Sequence, residues 1–348
     1  MVTATWISST AKNWSDTTAW DTGVKPATGD DVVFNGVGGA DGNCSVNEAT
    51  AALTSFTVTT EYTGTITCAN AIKAKTWSVD FGGSGGFAGT ATSRCGDLSA
   101  NVNFKCVEAY PGAMVFQGGG GSGTTQTAAF QANLSNESLT LNVNAAGNRI
   151  EVDLNGYNWT NTITTFAGVI GNAGGHARIL VKNGILTITH NTSIGDGPNY
   201  NCTGEYEISV TTGTISLGPN GQFTAGRTTG SNTTIIGSNT AYTLDVNNNL
   251  FILLSAELRL PTAAGTCTIS GTTIDINGTL THNSGKITFD KSGTTTLQAD
   301  GKTFYDFSIS AATTLSVTEA ITMAAGGSIE LAAAGTLTPA SGIGITFA

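Results

Sequence analysis

Carboxylate side chains occur twice in this chain as pairs spaced two residues apart. Glu151 and Asp153 form the first pair, and Glu205 and Glu207 form the second. Residues two apart on a β-strand share one face, and carboxyl groups roughly 5 to 9 Å apart carry out glycoside hydrolysis. The pairs are therefore candidate catalytic residues of a glycosidase or polysaccharide lyase. We favour a solvated strand face instead, because few basic or aromatic residues accompany either pair.

The other residues that could act in catalysis or bind a metal lie far apart in the sequence. His176, His190 and His282 stand in no recognisable nucleophile motif. The acids Asp30 and Asp31 and the run 247–249 of asparagines are candidate calcium ligands, although capping of turns by their side chains is the favoured interpretation. The sequence therefore predicts no catalytic residue, no cofactor and no metal site.

Six cysteines are scattered without a CxxC pair, so the spacing of a zinc site is absent. We expect buried, reduced thiols that act as small apolar side chains. The alternative is a disulfide between Cys95 and Cys106, which synthesis in a cytoplasm disfavours. The six are Cys44, Cys68, Cys95, Cys106, Cys202 and Cys267.

Three of the five tryptophans lie near the start of the chain, at Trp6, Trp14 and Trp20. A stack of β-strands has an apolar end that must be covered, so these residues predict an N-terminal cap. The alternative is a platform on which sugar rings stack, which would make the three indoles glycan contacts.

Composition narrows the function classes. Charged residues make up 11% of the chain, the net charge is −10 and the pI is about 4.6. No basic cluster exceeds Lys73 and Lys75, so nucleic-acid binding is not expected. The start of the chain lacks the features of a signal peptide, and no apolar run reaches the length of a membrane span. We therefore expect synthesis in a cytoplasm without a signal peptide and no membrane insertion.

Short runs rich in Thr and apolar residues recur through the chain, each closed by Gly, Asn or Asp, which predicts an all-β repeat fold. An antiparallel hairpin at Asn277–Gly278 would place Ile276 and Leu280 on opposite faces, so the C-terminal repeats are expected to form a parallel β-solenoid. A hairpin at Asn183–Gly184 fits, with Val181 opposite Leu186. Parts of the middle are therefore expected to be antiparallel, and tandem β-sandwich or jelly-roll domains are the alternative fold.

Four regions are expected. They are a cap or anchor at 1–47, a β region at 48–124 that ends in a Gly-rich loop, a central β region at 125–260 and a C-terminal repeat region at 261–348. With roughly 20 to 25 residues per coil and about 4.8 Å per coil, a solenoid would have about 12 to 15 coils and a length of roughly 60 to 70 Å.

Two stretches carry a family resemblance. The head, with NWSDTTAW at 13–20 and GVKPATGDDVVFNG at 23–36, resembles the start of phage-encoded and bacterial β-solenoid surface proteins. The tail, with LQADGKTFYDFSIS at 297–310 and TTLSVTEAITMAAGGSIEL at 313–331, looks like repeats of phage tail, fibre or head-decoration proteins. The resemblance implies a virion surface protein that forms a homo-oligomer, and it supplies no catalytic residues.

Together these observations predict a structural protein on a virion surface, either a capsid decoration protein or a subunit of a head or tail fibre. It would form a homotrimer, contact the major capsid protein or other virion proteins, and present a polar surface to host glycans. The alternatives are a glycan-degrading tailspike enzyme that uses one carboxylate pair, and a carbohydrate-binding adhesin that uses the tryptophans.

Overall fold

The computed structural model describes residues 1–98, 101–118, 125–143, 148–161, 169–170, 175–189, 192–194, 205–218, 221–226 and 233–348. The chain is all-β, and its strands stack in parallel to form a β-solenoid of about 12 turns with an aromatic cluster near the N-terminus. The predicted solenoid is confirmed. The alternative of antiparallel sandwich domains is wrong, because the paired strands of the described residues run parallel.

The strands are short, and two single-turn 3-10 helices, Thr17–Ala19 and Val37–Gly39, interrupt the first coils. The first third contains β1 Thr3–Thr5, β2 Lys12–Asn13, β3 Asp31–Phe34, β4 Cys44–Ser45, β5 Leu53–Val58, β6 Thr65–Thr67, β7 Lys73–Val79, β8 Gly86–Ala88, β9 Ser93–Leu98, β10 Val102–Cys106 and β11 Tyr110–Gly118. The middle contains β12 Thr125–Phe130, β13 Leu134–Val143, β14 Arg149–Asp153, β15 Trp159–Asn161, β16 Val169–Ile170, β17 His176–Val181, β18 Ile185–Ile188, β19 Thr192–Ile194, β20 Glu205–Val210, β21 Thr214–Leu217, β22 Phe223–Ala225, β23 Thr233–Ile236, β24 Thr243–Val246, β25 Leu250–Ile252 and β26 Ala256–Arg259. The last part contains β27 Thr266–Ile269, β28 Thr273–Ile276, β29 Thr279–Thr281, β30 Lys286–Phe289, β31 Gly293–Gln298, β32 Lys302–Ile309, β33 Thr313–Val317, β34 Ile321–Leu331, β35 Thr336–Pro339 and β36 Ile345–Phe347.

Equivalent strands of successive coils stack into long sheets. One stack, called here the first column, consists of β1, β3, β5, β7, β10, β12, β14, β17, β20, β23, β26 and β29. A second stack runs from β9, β11 and β13 through β15 and β18 to β34 and β36. A seven-stranded sheet runs from β19 to β35, and a four-stranded sheet joins β2, β4, β6 and β8. Pairing of β3 with β5, β10 with β12 and β24 with β27 crosses all three predicted region boundaries, so the regions are successive parts of one stack.

Alternation of side chains places an apolar ladder inside the solenoid. Along the first column, Val152 is in register with Ile179, Ile208, Ile236 and Leu258 of the next four coils. Each of these side chains is buried. Nearer the N-terminus, inward positions two residues further along the strands than the Val152 ladder hold aromatic residues, with ring centroids 5.0 to 6.1 Å apart. These are Phe56, Trp77, Phe104 and Phe130.

The antiparallel hairpin predicted at Asn183–Gly184 is wrong. Its two strands, β17 and β18, lie in different columns, and each pairs in parallel with strands of the coils before and after it. The inward positions were predicted correctly, because Val181 and Leu186 are both buried. Gly184 is needed for another reason than a hairpin, since a Cβ there would lie 2.0 Å from the carbonyl oxygen of Tyr157 in the preceding coil. The dipeptide is a stacked corner between two sheets.

Coil length varies along the chain. In a late coil Ile287 is in register with Phe307. In a central coil Ile179 is in register with Ile208, and the two residues of this pair are further apart in the sequence. The predicted coil length therefore holds for late coils and is too short for central ones, because strand stacking leaves the connecting segments free to lengthen. About 12 turns at about 4.8 Å each correspond to a stack of roughly 60 Å.

Candidate functional site

The predicted carboxylates lie together on the outer face of the first column. Parallel register places Arg149, His176 and Glu205 side by side on β14, β17 and β20, and two residues further along the strands it does the same for Glu151, Arg178 and Glu207. The alternate residues of these strands include inward-pointing, buried aliphatic side chains. The polar side chains therefore lie on a rigid, well-packed sheet, which fixes their spacing.

Arg178 joins acids from both neighbouring coils. Its Nη1 lies 3.1 Å from Glu151 Oε2 and its Nε lies 3.3 Å from Glu207 Oε2. Its Nη2 donates a hydrogen bond of 3.0 Å to Ser209 Oγ, which in turn lies 3.0 Å from Ser238 Oγ. The result is a ladder of alternating charge across three coils. The two acids of each predicted pair therefore do not act together, because each interacts with a residue of another coil rather than with the acid two residues away.

His176 lies between two of the candidate acids. Its Nε2 is 3.7 Å from Glu205 Oε1 and 3.6 Å from Glu207 Oε2. The residue is 8% exposed, and Nε2 is buried without a hydrogen-bond partner among the described residues. The neighbouring imidazole, followed by Arg178 and Ser209, holds the pKa of Glu207 below its ordinary value despite partial burial.

The remaining candidate acid has a structural partner. Asp153 Oδ2 lies 2.6 Å from Lys182 Nζ in the next coil, and Asp153 Oδ1 accepts a hydrogen bond of 2.8 Å from the Asn155 amide. A shallow groove of about 330 Å³ passes Glu151 and Asp153. A glycosidase general acid needs a raised pKa, whereas the pKa shift at Glu207 runs in the opposite direction. The patch therefore has the acids of a hydrolase but not the electrostatics of a proton donor at Glu207.

Sequence spacing did not reveal the cluster of His176, Glu205 and Glu207. Their nearest ligand atoms lie within 4.8 Å of one another, close enough to hold a metal ion. The histidine precedes the acids by one coil of the chain, so the solenoid repeat brings them together. A comparison of residues one coil apart in the sequence would have found the cluster, but the variable coil length hides that register.

The three N-terminal tryptophans form a buried cap, as predicted. Trp6, Trp14 and Trp20 are at most 1% exposed. The ring of Trp20 lies 5.2 Å from Trp6 and 4.9 Å from Trp14, and Trp6 stacks on Phe34 of the next coil. The indole nitrogens of Trp6 and Trp20 donate to the carbonyl oxygens of Gly42 and Trp14. With every ring covered, this conformation offers no indole face to a sugar.

Three residues considered as calcium ligands accept hydrogen bonds from the protein itself: Asp30 and Asn249 from backbone amides, and Asp31 from a serine of the paired strand β5. Asp30 accepts hydrogen bonds of 2.9 Å from the amides of Val2 and Ala27, which lower its pKa. Asp31 Oδ1 accepts a hydrogen bond of 2.6 Å from Ser55 Oγ. Asn249, the last of the three asparagines at 247–249, accepts hydrogen bonds from the amides at 272 and 273.

The other two histidines stand apart from the cluster. His282 Nδ1 accepts a hydrogen bond of 3.0 Å from the Ser284 amide, and its ring stacks on Tyr305. His190 lies outside the described residues.

The described cysteines are buried and unpaired, in agreement with the prediction of reduced thiols. Burial raises the pKa of each, that of Cys68 to about 11 and that of Cys267 to about 12. The alternative disulfide between Cys95 and Cys106 is not formed. Cys202 lies outside the described residues.

Comparisons with known proteins return no match: no family model, no curated protein and no solved structure is similar to this chain. Within the described parts of the chain, no helix has both the length and the apolar character needed to cross a membrane.

Proposed function

We propose that this protein is a structural component of a virion surface, a capsid decoration protein or a fibre subunit built as a stiff rod. The observation that carries the proposal is the continuous first column, in which strands of successive coils pair in parallel from β1 to β29. A stack of this kind satisfies its backbone hydrogen bonds between coils and resists bending. Thr, Ser and Asn are common among the outward residues of the coils and suit a hydrated, exposed surface.

The candidate chemistry supports a structural role more than a catalytic one. Glu151 and Glu207 are both ion-paired with Arg178, and Asp153 with Lys182, so three of the four candidate acids help to join neighbouring coils. A tailspike glycosidase remains the second candidate, favoured by the groove beside Glu151 and Asp153. Incubation of the full chain with a host polysaccharide separates the two. The structural proposal expects no depolymerisation, whereas cleavage that Glu151→Gln abolishes would establish the enzyme.

Self-association as a homotrimer fits the rod, because packing of rods side by side covers apolar side chains that are exposed on the faces of the coils. Large apolar side chains that remain exposed include Val37, Ile185 and Leu254. Light scattering coupled to size-exclusion chromatography measures the mass of the full chain in solution. A mass of three chains supports the homotrimer, and a monomer at all concentrations contradicts it.

The virion role is tested on intact particles from the source of this sequence. Antibodies raised against the full chain should label the particle exterior in negative-stain electron microscopy. Labelling confined to disrupted particles, or chain found only in the unassembled fraction, would contradict a surface role.

A further inference from the structure

We propose that His176, Glu205 and Glu207 bind one divalent transition-metal ion, with Zn²⁺ as the best match, on the outer face of the first column. The ion would join β17 of one coil to β20 of the next. This site goes beyond the proposed structural role, which does not require a metal.

The geometry of the three side chains fits a small cation. The imidazole Nε2 lies 3.7 Å from Glu205 Oε1 and 3.6 Å from Glu207 Oε2. Ligand atoms around a tetrahedral zinc ion, with bonds of roughly 2.0 to 2.2 Å, lie roughly 3.3 to 3.6 Å apart. The imidazole therefore needs to approach each carboxylate by at most a few tenths of an ångström, and the three ligand atoms all lie within 4.8 Å of one another.

A second observation, independent of the clustering of acids, is the unpartnered imidazole nitrogen. His176 is 8% exposed, and its Nε2 is buried without a hydrogen bond among the described residues. The separations to the two carboxylates exceed the usual N···O distance of an N–H···O hydrogen bond, which is about 3 Å. Burial of a polar atom without a partner is unfavourable. Coordination of a cation by the Nε2 lone pair would satisfy it.

Local charge also favours a divalent cation. Glu151, Glu205 and Glu207 contribute three negative charges, and Arg149 and Arg178 contribute two positive charges, so these outward side chains of β14, β17 and β20 carry a net −1 with His176 neutral. The nearby Glu257 and Arg259 form a two-point ion pair and add no net charge. Arg149, beside His176 on β14, is exposed and forms no ion pair among the described residues.

Arg178 does not block the site. Its contact with Glu207 Oε2, at 3.3 Å, is the longest of its three polar contacts. The other two, with Glu151 Oε2 at 3.1 Å and Ser209 Oγ at 3.0 Å, remain available when Glu207 turns to a metal. When Glu207 turns to a metal, Nη1 and Nη2 of Arg178 keep their acceptors, while the buried Nε, which makes no hydrogen bond among the described residues, loses only its 3.3 Å contact.

The ligand set selects the class of ion. Calcium and magnesium prefer cages of oxygen atoms, whereas an imidazole nitrogen with two carboxylates suits zinc and its neighbours in the first transition row. Three protein ligands leave a fourth position for water. Because the ligands come from two successive coils, we expect the ion to stabilise their stacking.

The test uses the full chain after dialysis against a chelator. Titration with zinc chloride, followed by calorimetry and by elemental analysis of the dialysed complex, should show one ion per chain and a higher melting temperature. Glu205→Gln and Glu207→Gln should each weaken binding by at least about tenfold, by analogy with losses seen at the residues that support metal ligands. The Glu205 side chain is 41% exposed, so its substitution should leave the fold intact. Circular dichroism checks this for both variants.

Two controls and a spectrum separate this site from others. Glu61→Gln, at an exposed glutamate, and His282→Gln, at the other described histidine, should bind zinc as the wild type does. Cobalt titration should give the visible bands of nitrogen and oxygen ligation without the near-ultraviolet charge-transfer band of a thiolate. The proposal is overturned if the wild type shows no saturable binding, if both glutamine variants at Glu205 and Glu207 bind as tightly as the wild type, or if the cobalt spectrum shows thiolate ligation.

Discussion

At the scale of residues, charged side chains of this protein act mainly between coils. Arg178, Lys182 and Arg259 each form an ion pair with a carboxylate, and the first two reach acids of adjacent coils. A chain with only 11% charged residues thus places several of them where the stacking register is set. Exposed ion pairs contribute little stability, but pairs that are partly buried leave costly charges behind when one partner is removed.

Arg178→Gln should therefore destabilise the fold. The Glu151 and Glu207 side chains are only 19% and 15% exposed, so they would lose a cation that water replaces incompletely. We expect a loss of about 1 to 3 kcal/mol in the free energy of unfolding, measured by denaturant unfolding in the presence of a chelator. Lys12→Gln, at a more exposed pair with Asp16, is the matched control and should cost much less. Equal effects of the two substitutions would show that the ladder is not structural.

Asp245 should affect the stability of the folded chain in a way that depends on pH. Partial burial, followed by repulsion from Asp290, raises its pKa in the folded chain. The folded state therefore binds this proton more readily than the unfolded state, and the charged carboxylate opposes folding at neutral pH. Asp245→Asn should stabilise the protein at pH 7, by less than about 1 kcal/mol because the side chain is only half-buried. The gain should shrink as pH falls through the raised pKa.

Thermal unfolding followed by circular dichroism between pH 7 and pH 4 measures this difference. Asp300→Asn, at an exposed aspartate, should change stability by no more than about 0.5 kcal/mol at either pH. A destabilising Asp245→Asn at pH 7, or a gain that grows on acidification, would contradict the electrostatic explanation.

At the scale of elements, stacked glycine corners determine where the chain turns between sheets. A Cβ on Gly184 would lie 2.0 Å from the carbonyl oxygen of Tyr157, and one on Gly213 would lie 2.3 Å from that of Gly184. Three successive coils thus approach one another at this corner too closely for any side chain. The corner depends on close approach of backbones rather than on an unusual φ angle, since neither glycine has a positive φ.

Gly184→Ala should accordingly destabilise the solenoid by about 1 to 3 kcal/mol, the range for overpacking of a well-packed interior. Gly86→Ala in β8 is the control, because a Cβ there meets no atom within 4 Å; we expect a change within about 0.5 kcal/mol. Denaturation midpoints of the two variants and the wild type provide the comparison. If Gly184→Ala is as stable as Gly86→Ala, the coils are not stacked at this corner as described.

The aromatic cap is the second element whose contribution can be measured. Trp20 is 1% exposed and lies against both Trp6 and Trp14. Trp20→Ala should cost about 3 to 5 kcal/mol, as for other buried aromatic residues. Val24→Ala, at a side chain that is 61% exposed, should have almost no effect. A cost for Trp20→Ala below about 1 kcal/mol would show that the cluster does not seal the first coil.

At the scale of the whole molecule, the alternation of apolar and polar residues predicted the β class, the inward faces and the parallel C-terminal repeats. Ile276 and Leu280, which could not share a face in a hairpin, indeed pair in parallel with Ile252 and Leu258 of the preceding coil. The same test failed at Asn183–Gly184, because inward positions on both sides of a corner alternate as they would in a hairpin. Local alternation identifies the buried face but not the neighbouring strand.

The sequence analysis identified the acids of the candidate site but not the residues that interact with them. Glu205 and Glu207 are recognisable as a pair on one strand, whereas His176 and Arg178 join them only through a register that spans a whole coil. Because coil length differs between the central and the C-terminal coils, no fixed period in the sequence connects these positions. Long-range register is therefore the information that a single sequence lacks.

The most direct test of the structural proposal is cryo-electron microscopy of the native particle from the source of this sequence. We expect density for a rod of roughly 60 Å on the exterior, in multiple symmetry-related copies, into which the parallel solenoid fits. Copies at all local symmetry axes of a capsid would identify a decoration protein, and copies confined to a tail or vertex would identify a fibre subunit. A particle surface without this density would contradict the proposal.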